Sequence, residues 1–176
     1  MLFDGGVCVV NIFKKKQSSC LNYFLQYLIW FLLLVIASFL LNFNVEKQTI
    51  NTNIELNNFH DFAVIMANNT LVFIYTFTSV FVGKLNIYIM VIVNAIRIGL
   101  LVSRFMYPIY LLMILPHGIP EISVFLLLGA FISKYLDNDQ KDMKSLIQKS
   151  GWLYVALLIS ALVEAWITPY IVFRFL

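Results

Sequence analysis

The chain has 176 residues, of which 61% are hydrophobic and only 12% charged, with a formal net charge of +3 and a mean hydropathy of +0.88. A soluble core cannot hide that much apolar surface, so the composition specifies an integral membrane protein. At roughly 20 apolar residues per span, the length admits about five helices and leaves no space for a soluble catalytic domain.

Residues 1–20 form a polar N-terminal segment, with Lys14, Lys15 and Lys16 just ahead of the first span, expected at about 21–43. That apolar run is too long for the core of a signal peptide and reads as an uncleaved anchor. Cys8 and Cys20 are the two cysteines, and they read as small apolar filler rather than a disulfide framework. An Asn- and Thr-rich loop follows, up to His60.

The second span is expected at about 61–83 and the third at about 86–106, joined by a tight return at Gly83 and Lys84. Asn68 and Asn69 fall in the second, Asn94 and Arg97 in the third. The asparagines are suited to holding spans together by side-chain hydrogen bonds or to lining a substrate path. Arg97 either pairs with an intramembrane carboxylate or snorkels to the interface.

After Pro108, the apolar stretch 110–115 is too short to cross a core of about 30 Å. The heptapeptide Leu115-Pro116-His117-Gly118-Ile119-Pro120-Glu121 predicts a broken or re-entrant segment around 108–121, with Pro116, Gly118 and Pro120 making the break. The fourth span then begins near Ile119, because proline suits a first helical turn. In that position Glu121 would cap unpaired N–H groups or take part in transport or chemistry. His117 would hydrogen-bond freed backbone or Glu121; a metal site would need a third ligand, and none is expected.

Residues 137–150 read as a charged loop and 151–173 as the last span. Glu164 lies near that span's centre, in a stripe with Ser160 and Thr168, and Pro169 withholds an N–H from the Ala165 carbonyl, loosening the helix beside the carboxylate. A mid-membrane carboxylate needs a partner, and Arg97 is the candidate for it or for Glu121. Gly129 with Ser133, and Ala161 with Ala165, give small-xxx-small spacings for close helix packing. Trp152, Tyr154 and Tyr170 fit interfacial belts.

Lys14, Lys15, Lys16, Lys84, Lys134, Lys141, Lys144 and Lys149 share one predicted side, against Lys47, Arg104 and Arg174 on the other. The positive-inside rule therefore places the N-terminus in the cytoplasm and the C-terminus outside. Topology accounts for the basic residues, so no nucleic-acid partner is expected. Nucleophile-elbow, zincin and phosphate-loop patterns are missing, so no catalytic residue and no cofactor is assigned; an ATPase, if used, would be another chain.

The order and spacing of Asn68-Asn69, Asn94, Gly99, the Pro116-His117-Gly118 to Glu121 core, Gly129 and Glu164-Ala165-Trp166-Ile167-Thr168-Pro169 resemble the stage II sporulation protein M (SpoIIM) family of membrane proteins. Where that family usually has glycine after its asparagine, this chain has Ala95. The resemblance implies a single transmembrane helical domain over 21–173. It implies a bacterial cell-membrane component acting with other proteins, as in the sporulation complex that recruits peptidoglycan hydrolases during engulfment. In size the chain looks more like short relatives accompanying circular bacteriocin production, associated with peptide export, maturation or immunity. Their partners would be an ABC-type ATPase or a peptide precursor. A proton-coupled carrier or an intramembrane hydrolase using Glu121, His117 and Glu164 stands as the alternative.

Overall fold

A computed structural model describes residues 19–42, 58–104, 111–139 and 141–167, with backbone only at 58 and 111–117. All described secondary structure is helical: α1 (Cys20–Leu41), α2 (Asn58–Phe77), α3 (Ser79–Val82), α4 (Leu85–Arg104), α5 (Leu111–Asp137) and α6 (Met143–Leu162), the last continued by a π-helical turn at Val163–Ile167. Five stretches are long and apolar enough to cross a bilayer: Cys20–Leu41, Phe59–Val82, Leu85–Arg104, Gly118–Asp137 and Met143–Ile167.

Local chemistry sets several helix ends. Ser19 caps α1, its Oγ accepting from the Asn22 N–H at 3.2 Å. Thr78 interrupts the second span; its hydroxyl donates to the Tyr75 carbonyl at 2.6 Å and accepts from the Asn86 amide at 3.0 Å. Gly83 then turns the chain at φ +99°, a left-handed conformation that a side chain would strain. The expected tight return at Gly83 and Lys84 is therefore present.

The fourth span, Gly118–Asp137, lies where expected, but the helix that carries it starts earlier and is unbroken. Its helix starts at Leu111, eight residues before Ile119, and continues through Pro116, Gly118 and Pro120 to Asp137. Among the described residues there is no break and no re-entrant loop; Pro108 lies outside them. Each proline removes one ladder bond, but in a membrane an unpaired turn would expose more backbone than two missing donors do, so the helix persists. Its 27 residues extend about 40 Å at 1.5 Å per residue, so 111–115 form its first turn and not a separate half-helix.

The fifth span also begins early. Asp142 caps α6 by accepting from the Ser145 N–H at 3.0 Å. The expected charged loop at 137–150 therefore shrinks to 138–142, and Lys144 and Lys149 ride on the helix.

α5 is the hub of the bundle. Its spanning window is 44% buried, against 17–28% for the other four, because α1 and α6 pack along it and α2 joins it further up. Tyr27 and Phe31 of α1, Ile87, Met90 and Val91 of α4, Phe125, Leu128 and Ile132 of α5 and Leu157 of α6 make the core. Much of the rest of α1 is apolar and exposed, at Leu21, Leu25, Ile29, Leu33 and Leu40, which is the surface a lipid-facing helix presents.

Small residues set the close contacts. A Cβ on Gly99 would lie 2.5 Å from the Ser38 Cβ and 2.8 Å from the Val35 carbonyl, so α1 and α4 meet backbone to backbone. Ser38 donates across that joint to the Ile96 carbonyl at 3.2 Å. Gly129 makes room for Ile87 and the Tyr27 ring, and the Tyr27 and Ser133 hydroxyls share a 2.6 Å hydrogen bond. The Gly129 and Ser133 spacing thus admits Ile87 of α4 at Gly129 and binds Tyr27 of α1 at Ser133. Ala161 and Ala165 are buried as well, and so is Ala95.

Candidate functional site

A cavity of about 480 Å³ lies between α2, α4, α5 and the π turn, α4 packing chiefly on α1 while α2 leans on α5 and α6. Its walls carry Asn68 and Asn69 from α2, Asn94, Arg97 and Arg104 from α4, Glu121 from α5 and Glu164 from the π turn. Four separate segments of the sequence therefore bring two cations, two carboxylates and three amides to one place. The remaining lining is apolar, with Ile65, Val72, Ile98, Leu101, Ile122 and Phe125 prominent.

Glu121 is the eleventh residue of α5 and so caps no helix terminus. It is bound instead by Asn69, which is buried and whose side-chain amide donates to Oε1. This bond ties α2 to α5 at membrane depth. Among the described residues, the Asn68 amide makes a long 3.5 Å contact to Asn69 Oδ1. Asn94 donates to the Met90 carbonyl of its own helix at 2.9 Å, so it does not join two spans through that amide.

Arg97 lines the cavity beside both glutamates but forms no ion pair with either, or with any other described residue. The expected pairing of Arg97 with Glu164 or Glu121 is therefore not the arrangement observed. The partner of Glu121 is a neutral amide, and the guanidinium is exposed.

Glu164 sits within the π turn Val163–Ile167, a local widening of the kind found where a helix carries function. The sequence accounts for it in part, since Pro169 has no N–H to offer Ala165. Thr168 and Pro169 lie outside the described residues. His117 is helical in its backbone, and its side chain likewise lies outside them. No group of three His, Cys, Asp or Glu side chains suited to a metal occurs among the described residues.

Two further polar arrangements were not foreseen. Away from the cavity, Asp137 at the end of α5 accepts from the Tyr23 hydroxyl of α1 and from Lys84 at 2.5 Å, while the Lys84 ammonium lies 4.9 Å from the Tyr23 ring centroid. These residues are up to 114 positions apart, and each alone reads as an interfacial residue or a topology charge. Burial by itself would lower the Lys84 pKa, but the hydrogen bond and charge of Asp137 outweigh it and raise the group above its ordinary value. Tyr154, expected in an interfacial belt, instead shares a 3.0 Å hydrogen bond with Thr70 and packs edge-on against Phe73, pinning α6 to α2. Tyr170 lies outside the described residues.

Five helices long and apolar enough to span a membrane, with a cavity lined by charged and amide side chains from four segments, define a polytopic membrane protein. The chain belongs to the SpoIIM family, stage II sporulation protein M, which matches residues 20–169. The match takes in the first span as well as the region from Asn68 onward that carries the resemblance. No curated protein matches the chain significantly, and no solved structure does.

Proposed function

We infer that the protein is a non-enzymatic membrane component of a multi-protein complex. Its service is peptide export, maturation or immunity of the bacteriocin type, or remodelling of the cell envelope as in sporulation engulfment. The observation that carries this reading is the hydrogen bond from buried Asn69 to Glu121. It spends one carboxylate of the cluster on joining α2 to α5, a structural duty that needs no substrate. Membership of the SpoIIM family supports the same reading, and the distribution of lysines supports a cytoplasmic N-terminus and an external C-terminus. An ABC-type ATPase, a peptide precursor or peptidoglycan hydrolases are the partners this role calls for.

One observation favours a second reading, that of a proton-coupled carrier or an intramembrane hydrolase: the cavity reaches Glu121 and Glu164 together. Glu164→Gln separates the two, because it keeps the shape and removes the charge. A structural component retains abundance and partner recovery with this substitution. A carrier or hydrolase stays abundant but loses turnover of the exported or processed peptide.

A further inference from the structure

Arg97 and Arg104 are seven residues apart on α4, which is two turns or about 10 Å along one face. Both line the cavity, both are exposed, and neither has a hydrogen bond or ion pair to a described residue. A cation within a span is expensive unless something neutralises it. From α5 and the π turn, Glu121 and Glu164 bring the opposite charge to the same space without closing on the arginines.

Two guanidiniums and two carboxylates give the walls no net formal charge. A purely anionic ligand would meet the arginines but also the glutamates, and a simple cation would meet the reverse. A molecule carrying an anion and a cation on a short tether satisfies both walls. Guanidinium pairs present forked donors suited to phosphate, whereas carboxylates accept hydrogen bonds from a primary ammonium. The volume of about 480 Å³ falls in the small-molecule range of roughly 300–1,000 Å³. Ile65, Val72, Leu101 and Ile122 supply apolar walls beside the charges.

We propose that this cavity binds the phosphate–ammonium headgroup of a membrane lipid of the phosphatidylethanolamine type. Its phosphate lies on Arg97 and Arg104, and its ammonium faces Glu121 and Glu164. The acyl chains follow the apolar lining that Ile65 and Val72 of α2 and Leu101 of α4 supply. The assignment does not depend on which complex the protein serves, because purified protein and lipid are sufficient to test it.

The experiment is native mass spectrometry of the detergent-purified protein offered phosphatidylethanolamine and phosphatidylglycerol of identical chains near neutral pH. The expected result is retention of phosphatidylethanolamine over phosphatidylglycerol by roughly tenfold, the effect of one charge-assisted contact. Arg97→Gln combined with Arg104→Gln is expected to lose both lipids. Glu121→Gln combined with Glu164→Gln is expected to reverse the preference, because the ammonium no longer has a carboxylate to meet while the arginines still hold phosphate. If the arginine variant fails to fold by circular dichroism and elution profile, Arg97→Lys with Arg104→Lys keeps both charges and is expected to keep the preference. Equal retention of both lipids by the native protein, or an unchanged preference in the glutamine variant, overturns the proposal. Displacement of all bound lipid by millimolar phosphoethanolamine would assign the same chemistry to a water-borne ligand and overturn the lipid source.

Discussion

Removing the Asn69 side chain tests whether the buried amide holds the bundle together. Asn69 is 3% exposed and donates to Glu121 across the α2–α5 contact. Asn69→Ala leaves the Glu121 carboxyl without that donor while it still faces the cavity. Hydrogen bonds to charged groups contribute about 1.5–3 kcal/mol in proteins generally, whereas side-chain bonds measured between membrane helices average nearer 0.6 and reach about 1.7 kcal/mol. The expected loss is therefore about 1–2 kcal/mol. Reversible unfolding in mixed micelles, titrated with a denaturing detergent, reads it directly. Adding Glu121→Ala completes a double-mutant cycle, and a coupling of about 1 kcal/mol is expected because the second change removes the group left without its donor. Additivity to within about 0.5 kcal/mol would refute the bond as a stabilising tie, and with it the structural duty assigned to Glu121.

The close approach of α1 and α4 predicts that Gly99→Ala destabilises by about 1–3 kcal/mol, the cost of overpacking a tight contact. Ser38→Gly in the same chain should recover part of that loss, because the Ser38 Cβ is the nearest obstacle; thermal unfolding in detergent checks both. Gly83→Ala should cost about 1–2 kcal/mol through its φ of +99° alone, since nothing lies within 4 Å of the added methyl. The Lys84–Asp137 pair is part-exposed, at 30% and 23%, so Lys84→Met is expected to cost no more than about 1 kcal/mol. Because the folded Lys84 pKa is raised, that difference should be fully present below the ordinary lysine value of 10.5 and vanish as pH rises through the folded value; paired pH–stability curves would show it.

The first three spans were legible because each is a long apolar run flanked by turn or charge signals. The starts of α5 and α6 were not, for two different reasons. Pro116, Gly118 and Pro120 break helices in water, but in a bilayer the surrounding backbone has no better way to satisfy its hydrogen bonds than to stay helical. Lys144, Gln148 and Lys149 look like a loop by composition, yet the Asp142 cap starts the helix two turns before its apolar stretch. The polar residues Asn68, Asn69, Asn94, Arg97, Glu121 and Glu164 stood out by cost alone, and they line one cavity. Their pairing was not legible. An arginine is the intuitive partner for a membrane carboxylate, but the choice of Asn69 over Arg97 depends on which helices pack and which stay apart. Arg104 was read as a topology charge because nothing local distinguishes an interfacial arginine from one on a cavity wall. The Tyr23–Asp137–Lys84 clamp escaped for the same reason, being assembled from three distant helix ends.

The role proposed for this SpoIIM-family protein is that of a non-enzymatic part of a larger membrane assembly. Mild crosslinking in the native membrane, followed by purification and mass spectrometry of what accompanies the protein, tests that most directly. Reproducible recovery of an ATPase, a peptide precursor or peptidoglycan hydrolases, retained when Glu164 is changed to Gln, is the predicted result. A chain recovered alone each time, with a transport or hydrolytic activity that Glu164→Gln abolishes, would contradict it.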